Sequence, residues 1–331
     1  MWVYQSPSAD TSVNLSLEDV FFEAAGRSEL ATPGLFLYRN APSLVVGRNQ
    51  NVYQEIRLIE AREKALPIFR RSSGGGAVYH DGGNLNFAFF LREDRRHRLD
   101  FAYYLQPVVK LLLKWGLAVE LRNTSDLFCG DAKISGNAQH MGRGILLHHG
   151  TLLVEADLER LGRCLRPERG RIRSKAVHSR LSPIRNIGPL LGGRRLEDLE
   201  LELLASASCF LPELEGPPTD SQVLETDISA FLARPETRSR LAAARQRLTS
   251  FEWTYGRAAN YSYHHAWTDA SRRWELDYRV QTGRLEAGAS LRCDGERVQP
   301  ELLMALAGEA WLPETLPSDG LWDQLREEFF A

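Results

Sequence analysis

The sequence predicts an α+β fold, and three observations support that prediction. First, the predicted strands and helices follow one another irregularly, without the strand–helix alternation of parallel α/β folds. Second, the hydrophobic share of 43% and the charged share of 25% are those of an ordinary folded globule. Third, a chain of 331 residues exceeds the usual length of one domain, which favours two domains. We therefore expect mixed β-sheets packed with helices, followed by a smaller second domain.

The helices are predicted from apolar residues that recur at helical spacing. In the first of them, Leu17, Val20, Phe21 and Ala24 share one face. The same kind of pattern predicts helices over residues 14–25, 55–65, 101–115, 157–165, 196–210, 300–307 and 321–330. Three prolines predict a loop over residues 211–219, because proline breaks helices and central strands.

The strands are predicted from short apolar runs bounded by polar or turn residues. These runs lie at residues 35–38, 44–46, 68–70, 78–80, 85–91, 118–121 and 145–154. Near the C-terminus, residues 274–280 and 284–291 flank Gln281-Thr282-Gly283, which predicts a β-hairpin. This hairpin and the last two helices form a small second α+β domain, so we predict domains at residues 1–248 and 249–331.

Composition argues against several classes of protein. No apolar run reaches the length of a transmembrane helix, and the start of the chain has no signal or transit pattern. The four cysteines are scattered and form no C-x-x-C motif, which suits a reducing compartment. We expect a cytoplasmic protein with no membrane partner, or a mitochondrial one whose presequence has been trimmed. Cys129, the cysteine nearest the motifs below, is interpreted as structural.

Charge is unevenly spread along the chain. The net charge is −2, yet residues 160–195 carry eleven lysines and arginines against Glu168 alone. A basic stripe is one mark of nucleic-acid binding. Here no aromatic residue interleaves the stripe and no nucleic-acid motif accompanies it, so we expect no nucleic-acid partner. A solvated, flexible loop is the simpler alternative.

The segment Arg70-Arg-Ser-Ser-Gly-Gly-Gly-Ala-Val-Tyr-His-Asp81 carries the strongest functional signal. Its glycines let the backbone approach a ligand closely and accept positive φ. Successive backbone N–H groups in such a turn form an anion-binding concavity. The guanidinium groups of Arg70 and Arg71 can grip a phosphate or carboxylate with paired donors. Taken alone, the segment could equally be a glycine-rich hairpin turn.

Two further segments favour the same chemistry. Lys133 stands in a stretch of small and amide residues after a tight turn, and its compact ammonium could lie between two anions in a small site. His148 and His149 stand within an apolar strand, where neighbouring side chains face opposite sides, so at most one of them faces a given pocket. Taken singly, Lys133 could be a surface lysine and each histidine a core residue. No metal-ligand spacing accompanies the histidines.

Together and in this order, these segments resemble the lipoate–protein ligases and lipoyltransferases, most closely the long, two-domain ligases of the A type. Further matching segments are Asn14-Leu-Ser-Leu-Glu-Asp19, Phe36-Leu-Tyr-Arg-Asn40, Val45-Val-Gly-Arg-Asn-Gln-Asn51, Lys133-Ile-Ser-Gly-Asn-Ala-Gln139, His148-His-Gly-Thr-Leu-Leu153 and Phe251-Glu-Trp-Thr-Tyr-Gly256. The resemblance is weakest over residues 196–250. It implies the catalytic fold that biotin and lipoate ligases share, followed by a small C-terminal domain.

The resemblance also implies an activity and a set of site residues. The enzyme would activate lipoate with ATP to lipoyl-AMP and transfer the lipoyl group to a protein lysine, with Mg²⁺ as activator, no bound prosthetic group, and metal ligands left open. Lys133 would be catalytic and contact both substrates. The implied ATP- or adenylate-binding residues are Arg71, Gly76, Ala77, Val78, Tyr79, Asp126 and Lys133. The implied lipoate-binding residues are Arg70, Ser72, Gly74, Gly75, Val45, Gly47, His149 and Lys133, with His149 as a pocket wall.

The implied partners are acidic lipoyl domains of 2-oxoacid dehydrogenase acyltransferase subunits and the glycine-cleavage H protein, bound transiently by a monomer. By resemblance, the basic stripe contains a mobile loop that closes over the adenylate, and its charge would steer such partners. Residues 174–185 are most similar to bacterial ligases, which favours the full ligase. The alternatives are a lipoyltransferase that uses only preformed lipoyl-AMP, a biotin–protein ligase of the same fold, and a non-catalytic protein that binds lipoyl domains.

Overall fold

The computed structural model describes residues 1–165, 172–180, 182–215, 226–269, 271–318, 322, 323, 326 and 330. Its helices are α1 (Thr11–Gly26), α2 (Val52–Glu55), α3 (Leu58–Glu63), α4 (Phe101–Lys114), α5 (Leu158–Cys164), α6 (Leu196–Glu215), α7 (Ile228–Ala233), α8 (Pro235–Leu248) and α9 (Pro300–Ala305). The first ten strands are β1 (Trp2–Gln5), β2 (Gly34–Tyr38), β3 (Ser43–Val46), β4 (Ile68–Arg70), β5 (Val78–His80), β6 (Asn84–Arg92), β7 (Val119–Arg122), β8 (Asp126–Cys129), β9 (Ala132–Gly142) and β10 (Ile145–Leu153). The others are β11 (Ile172–Ser174), β12 (Tyr261–Asp269), β13 (Arg272–Gln281), β14 (Arg284–Leu285), β15 (Ser290–Cys293) and β16 (Glu296–Arg297). Sheets and helices are mixed irregularly, which confirms the α+β prediction.

A seven-stranded sheet in the order β1-β2-β6-β10-β9-β8-β7 forms the centre of the protein. Only β1 and β2 run parallel, and the other neighbouring pairs are antiparallel. Strand β6 is buried on both faces: Phe87 and Phe89 share a core with α4 and α6, whereas Ala88 and Phe90 share another core with α1. Because successive strand residues face opposite sides, one apolar strand serves both cores.

A three-stranded sheet, β4-β3-β5, sets the position of the glycine-rich segment. Strand β4 pairs with β3 in parallel, and β5 pairs with the other edge of β3 in antiparallel orientation. The chain from Arg71 to Ala77 therefore crosses from one side of β3 to the other, over the end of β3. We call residues 71–77 the glycine loop.

The third sheet has the order β11-β12-β13-β15-β16, with β14 also paired to β13. The predicted hairpin is confirmed at Gln281-Thr282-Gly283, although the strand after the turn is interrupted and continues as β15. Strand β11 precedes the rest of this sheet by almost ninety residues in sequence and pairs with β12 through Ile172 and Tyr263. Buried residues of this sheet, including Leu276, share a core with Leu44 and Tyr79 of the three-stranded sheet.

Several elements differ from the prediction. The helix predicted over residues 55–65 is divided into α2 and α3 at Ile56, which forms an isolated bridge with Leu165. The predicted loop at 211–219 is wrong for residues 211–215, since α6 continues there and buries Leu211 and Leu214 in the core below the central sheet. Residues 216–219 lie outside the described part.

The last predicted helix is described only in part, and some elements were not predicted at all. Of the helix predicted over 321–330, residues 322, 323, 326 and 330 are described, and these four are helical. Among the elements that the sequence patterns do not indicate are helices α7 and α8 and strands β8, β9, β11, β12 and β16. Over the described ranges, no helix is both long enough and apolar enough to span a membrane.

Candidate active site

A cavity of about 270 Å³ lies between the central sheet and the three-stranded sheet. This volume is close to the lower end of the range for small-molecule sites. The predicted site residues that line the cavity are Arg71, Gly75, Gly76, Ala77, Val78, Asp126, Lys133, Val45 and His149. The predicted residues that do not line it are Arg70, Ser72, Gly74, Tyr79 and Gly47. Residues from the glycine-rich segment and from five strands, β3, β5, β8, β9 and β10, thus converge on one site.

The glycine loop is packed directly against the end of β3. Gly75 has a φ of +86°, which favours glycine, and a Cβ there would lie 2.8 Å from the Arg71 guanidinium. A Cβ on Gly47 would lie 2.2 Å from the carbonyl oxygen of Gly75. Gly47 therefore allows close backbone packing of the loop, in place of the ligand contact that the resemblance implies.

Substitution of Gly47 by alanine is expected to destabilise the protein by about 1–3 kcal/mol, because the new methyl group overlaps a backbone atom that cannot rotate away. Gly74→Ala is the matched control: a Cβ there would meet no atom within 4 Å, and the φ is not positive. Urea unfolding of both variants measures the difference. Equal stability of the two variants would contradict the proposed backbone contact.

Arg71 is the cation that braces the glycine loop from inside the cavity. It is 7% exposed, and its guanidinium donates to the carbonyl oxygens of Gly74 and Gly76, at 3.1 and 2.8 Å, and to the Ser73 hydroxyl at 3.1 Å. Burial lowers the pKa of Arg71 to about 10, and the nearby Glu18 carboxylate opposes that shift. Arg71 thus contributes positive charge to the cavity and holds the loop in shape.

The structure corrects the ligand-binding prediction for Arg70. This side chain is fully buried, and its guanidinium donates to five backbone carbonyls, those of Gly47, Arg48, Gln50, Trp253 and Thr254, at 2.6–3.2 Å. Its own carbonyl oxygen accepts the indole N–H of Trp253 at 2.7 Å. With its donors occupied in this way, Arg70 ties β4 to two backbone segments and does not face a substrate.

Lys133 projects into the cavity from β9. Its ammonium nitrogen lies 2.8 Å from Asp126 Oδ1, and the Lys133 side chain is 24% exposed. A Cβ on Gly136 would lie 2.9 Å from this ammonium, so the glycine leaves room for it. The backbone of Lys133 is held as well: its N–H donates to the carbonyl of Pro183 at 2.7 Å, and its carbonyl accepts from Arg185 N–H at 3.0 Å.

His149 faces the cavity, and His148 faces the opposite side of the sheet. The Nδ1 atom of His149 lies 3.0 Å from the buried Glu18 carboxylate, and its Nε2 atom lies 2.7 Å from the Ser73 hydroxyl. Both ring nitrogens are engaged, which fits a pocket wall. Ser72 instead points toward Arg247, whose guanidinium lies 3.5 Å from its hydroxyl. Ser73, the buried serine of the loop, contacts Arg71 and His149, and neither serine lines the cavity.

Strand alternation explains a second correction. In β5, Val78 and His80 face the cavity, whereas Tyr79 is 1% exposed and packs in the core shared with the third sheet. The predicted nucleotide contact of Tyr79 is thus not supported by its position. His80 is a cavity residue that the sequence interpretation missed, although its spacing of two from Val78 would have indicated it.

A segment that we call the strap, residues 174–180, lines one side of the cavity with residues 177–180. Its Ser179 hydroxyl accepts the Ala77 N–H at 2.8 Å and the Gln50 side-chain amide at 3.0 Å. The buried Glu55 carboxylate accepts the Ser179 N–H at 3.1 Å and lies 3.4 Å from His178 Nδ1. Gly76 leaves room for this contact, because a Cβ there would lie 3.1 Å from the Ser179 hydroxyl.

Replacement of Glu55 by glutamine is expected to loosen the strap. The change removes the negative charge beside His178 and one of the two oxygens that accept the Ser179 N–H, a loss of about 1.5 kcal/mol for a charged hydrogen bond. Local opening, and with it trypsin cleavage after Lys175 and Arg180, should rise about tenfold. Glu252→Gln, at a side chain that is 78% exposed, is the control. Unchanged cleavage in Glu55→Gln would show that the Glu55 carboxylate does not hold the strap in place.

The cavity is rich in cations and poor in carboxylates. Asp126 is its single lining carboxylate within the described ranges, and it is already paired with Lys133. Nowhere in those ranges do three or more His, Cys, Asp or Glu side chains come together as a metal site. The arrangement is therefore suited to an anionic ligand, with an apolar wall formed by Leu15, Val45 and Val78.

Comparisons with known proteins agree with this geometry. A family model described as "Lipoyl protein ligase A/B catalytic domain" matches residues 10–207. The lipoate-protein ligase LplJ of Bacillus subtilis is 30% identical over 278 residues, which cover 84% of this chain and 80% of the relative. Lipoate–protein ligase 1 of Staphylococcus aureus is 29% identical over 279 residues, with the same two shares covered.

Solved structures show the same fold. P. falciparum LipL1, crystallised in complex with lipoate, aligns with a TM-score of 0.63 and 22% identity over 99% of each chain. Lipoate-protein ligase A bound with ATP aligns with a TM-score of 0.56 and 23% identity over 77% of this chain and 97% of that chain. A bipartite ligase from Thermoplasma acidophilum, described together with its E2 lipoyl domain, aligns with a TM-score of 0.60 and 21% identity over 77% and 96%. The predicted ligase fold is confirmed.

Proposed function

The chain belongs to the lipoyl protein ligase A/B family, and from this premise we propose that it is a lipoate–protein ligase that activates lipoate with ATP and transfers the lipoyl group to a lysine of a lipoyl domain. The observation that carries the proposal is that one cavity brings Lys133 together with the glycine loop, Arg71 and an apolar wall. Cations and backbone N–H groups suit phosphate and carboxylate, and the apolar wall suits an acyl chain.

The first proposed step activates the carboxylate. A lipoate carboxylate oxygen attacks the α-phosphorus of ATP, the new P–O bond replaces the bond to pyrophosphate, and pyrophosphate leaves. The Lys133 ammonium would leave Asp126 in part to bind oxygens of both reacting groups, where it offsets their mutual repulsion. Such a reaction depends mainly on positioning and charge neutralisation, which Lys133 and Arg71 supply.

The second proposed step transfers the acyl group. The uncharged ε-amine of the target lysine attacks the acyl carbon of lipoyl-AMP, a C–N bond forms, the C–O bond to AMP breaks, and the amine nitrogen loses a proton. Lys133 would stabilise the negative charge that develops on the acyl oxygen and on the leaving phosphate. The strap would open to admit the target lysine, because residues 177–180 form one wall of the cavity.

Mg²⁺ is proposed to enter as part of the nucleotide substrate. Magnesium commonly keeps water ligands and binds through substrate phosphates with one or two carboxylates, and Asp126 is the candidate carboxylate here. When bound, the ion would neutralise phosphate charge. The residues present fit this limited role and offer no cage of their own within the described part of the chain.

Lipoyl domains are the proposed protein partners. The archaeal relative that was described together with its E2 lipoyl domain supports this choice. Arg173, Lys175, Arg180 and Arg185 are exposed on and beside the strap, so an acidic partner would be attracted to the cavity opening. A lipoyltransferase that accepts only preformed lipoyl-AMP is the second candidate, because the same cavity would hold that adenylate.

Incubation of the purified protein with lipoate, ATP, Mg²⁺ and an apo lipoyl domain tests the proposal, with the intact mass of the domain as readout. A parallel reaction contains preformed lipoyl-AMP in place of lipoate and ATP. A mass gain of one lipoyl group in both reactions is expected. A gain with lipoyl-AMP alone would make the protein a transferase, and no gain in either reaction would overturn the catalytic proposal.

A further inference from the structure

Three buried side chains inside the cavity have polar atoms without a partner among the described residues. These atoms are Nε2 of His80, Oδ1 of Asn86 and Oδ1 of Asn137. Their residues are 3%, 1% and 9% exposed. A buried polar atom without a partner is costly, so each of these atoms is suited to meet a ligand or a water molecule. Of the three, His80 is connected to a chain of hydrogen bonds that determines what it can offer.

This series of hydrogen bonds begins at Asn14, a fully buried residue of α1. Its side-chain nitrogen lies 2.9 Å from the carbonyl oxygen of Ser8 and 3.2 Å from that of Arg39. Carbonyl oxygens only accept hydrogen bonds, so the Asn14 amide must present its NH₂ group to them. The same nitrogen lies 2.8 Å from Oδ1 of Asn40, and this assigns the orientation of the Asn40 amide as well.

The orientation of Asn40 then determines the tautomer of His80. With its oxygen toward Asn14, Asn40 presents its NH₂ group to Nδ1 of His80 at a distance of 2.8 Å. Nδ1 must therefore accept, and the proton of the neutral ring must lie on Nε2. Burial lowers the pKa of His80 to about 3, and the neighbouring Arg71 and His149 act in the same direction, which agrees with a neutral ring.

We propose that Asn40 is a positioning residue that holds His80 in its Nε2–H tautomer, so that His80 donates a hydrogen bond to an anionic oxygen of the acyl-phosphate group in the cavity. The identity of that oxygen rests on the proposed ligase function. The buried His80 ring stays neutral at ordinary pH. It would therefore donate a hydrogen bond to this oxygen without adding a further charge beside Arg71. Neither residue is among the predicted site residues.

Histidine-selective ¹⁵N NMR of the full-length protein tests the tautomer, and His80→Gln identifies the His80 signals by their absence. The wild-type protein is expected to show a single neutral Nε2–H form. In Asn40→Leu the Nδ1–H form should become populated, because the donor that excludes it is gone. Addition of lipoyl-AMP should shift the wild-type Nε2–H resonance. A wild-type Nδ1–H form, or an Nε2–H resonance that lipoyl-AMP leaves in place, would overturn the inference.

Kinetics supply an independent test, with lipoate-dependent pyrophosphate release as the readout. His80→Leu should lower kcat/KM about 10- to 100-fold, the value of one hydrogen bond to a charged group. His80→Gln should stay within a few-fold of wild type, since its amide N–H₂ reaches the position of Nε2, and Asn40→Leu should lie between them. Equal losses in the Gln and Leu variants would indicate ring packing alone and overturn the inference.

The two tests distinguish failure of this inference from failure of the proposed ligase function. His264→Gln, at an exposed side chain of the third sheet, serves as the control and should match wild type. A wild-type protein that releases no pyrophosphate would refute lipoate activation, yet the tautomer and its response to lipoyl-AMP would still be read by NMR. Thermal unfolding of each variant confirms that the comparison concerns folded protein.

Discussion

Replacement of Lys133 by alanine is expected to lower the rate of lipoyl transfer about 10²–10³-fold, the usual effect of removing one donor that stabilises charge in a transition state. The loss should occur with lipoate and ATP and also with preformed lipoyl-AMP, because the ammonium is proposed to act in both steps. Asp126 would lose its partner, which lies 2.8 Å away, and would add uncompensated negative charge to the cavity. Single-turnover mass measurements on the lipoyl domain resolve the two steps.

Lys114→Ala is the matched control for this experiment. Lys114 forms an ion pair with Glu202, and its side chain is 68% exposed at the end of α4, outside the cavity. The control should transfer lipoyl groups at the wild-type rate. Lys133→Arg keeps the charge, yet its larger planar fork does not fit the space beside Gly136, so a large loss is expected there too. Wild-type rates in Lys133→Ala would refute the assigned role.

Replacement of Arg70 by methionine is expected to cost about 3–5 kcal/mol of unfolding free energy, because several buried carbonyls lose their donor together and each such loss typically costs about 1–3 kcal/mol. Methionine preserves the length of the side chain but leaves five backbone carbonyls without their donor. Two of these carbonyls belong to Trp253 and Thr254, so the contact between β4 and this C-terminal segment should weaken first. Urea unfolding measures the change.

Arg245→Met separates this effect from the loss of an ordinary arginine. Arg245 is 54% exposed and pairs with Asp10 at 2.7 Å on the surface. Such a pair contributes about 1 kcal/mol or less. Comparable losses in the two variants would mean that the buried carbonyls find other donors, and that Arg70 is not needed to hold β4 against the two backbone segments.

Much of the candidate site could be predicted because its residues lie in short segments whose composition is itself informative. The glycine loop needs glycine at Gly75, where φ is positive, and this requirement is visible as a glycine cluster in the sequence. Lys133 and His149 stand in short segments of unusual composition, and the order of the segments indicated a family. The structure brings these three segments to one cavity, as the resemblance implies.

The roles of neighbouring residues could not be predicted in the same way. Arg70 and Arg71 are identical in type and adjacent in sequence, yet one is a buried clamp and the other lines the cavity. Their roles depend on which backbone carbonyls lie within reach, and those carbonyls come from residues as distant as Trp253. The choice between Ser72 and Ser73 likewise depends on the path of the loop over β3, which no local pattern specifies.

The resemblance implied a loop within residues 160–195 that closes over the site, but it did not imply the contact that holds this loop. Glu55 and Ser179 are more than a hundred residues apart, and no local pattern links them, so their contact could not be inferred from the sequence. In contrast, α6 was predicted too short because its proline outweighed its apolar spacing. Burial of Leu211 and Leu214 stabilises the last turn in spite of Pro212.

The attachment of the strap at both ends has a kinetic consequence. Strand β11 fixes the start of the strap through Ser174 and Tyr261, and the backbone of Lys133 holds the chain three residues beyond the end of the strap, at Pro183. With eight residues, 175–182, between these anchors, loop closure costs only about 2 kcal/mol of entropy. Loops of about ten residues close in roughly 10–100 ns, whereas a typical enzyme turns over about ten times per second. If the strap opens to exchange substrate, as proposed, its reclosure is therefore not expected to be the slow step of the reaction.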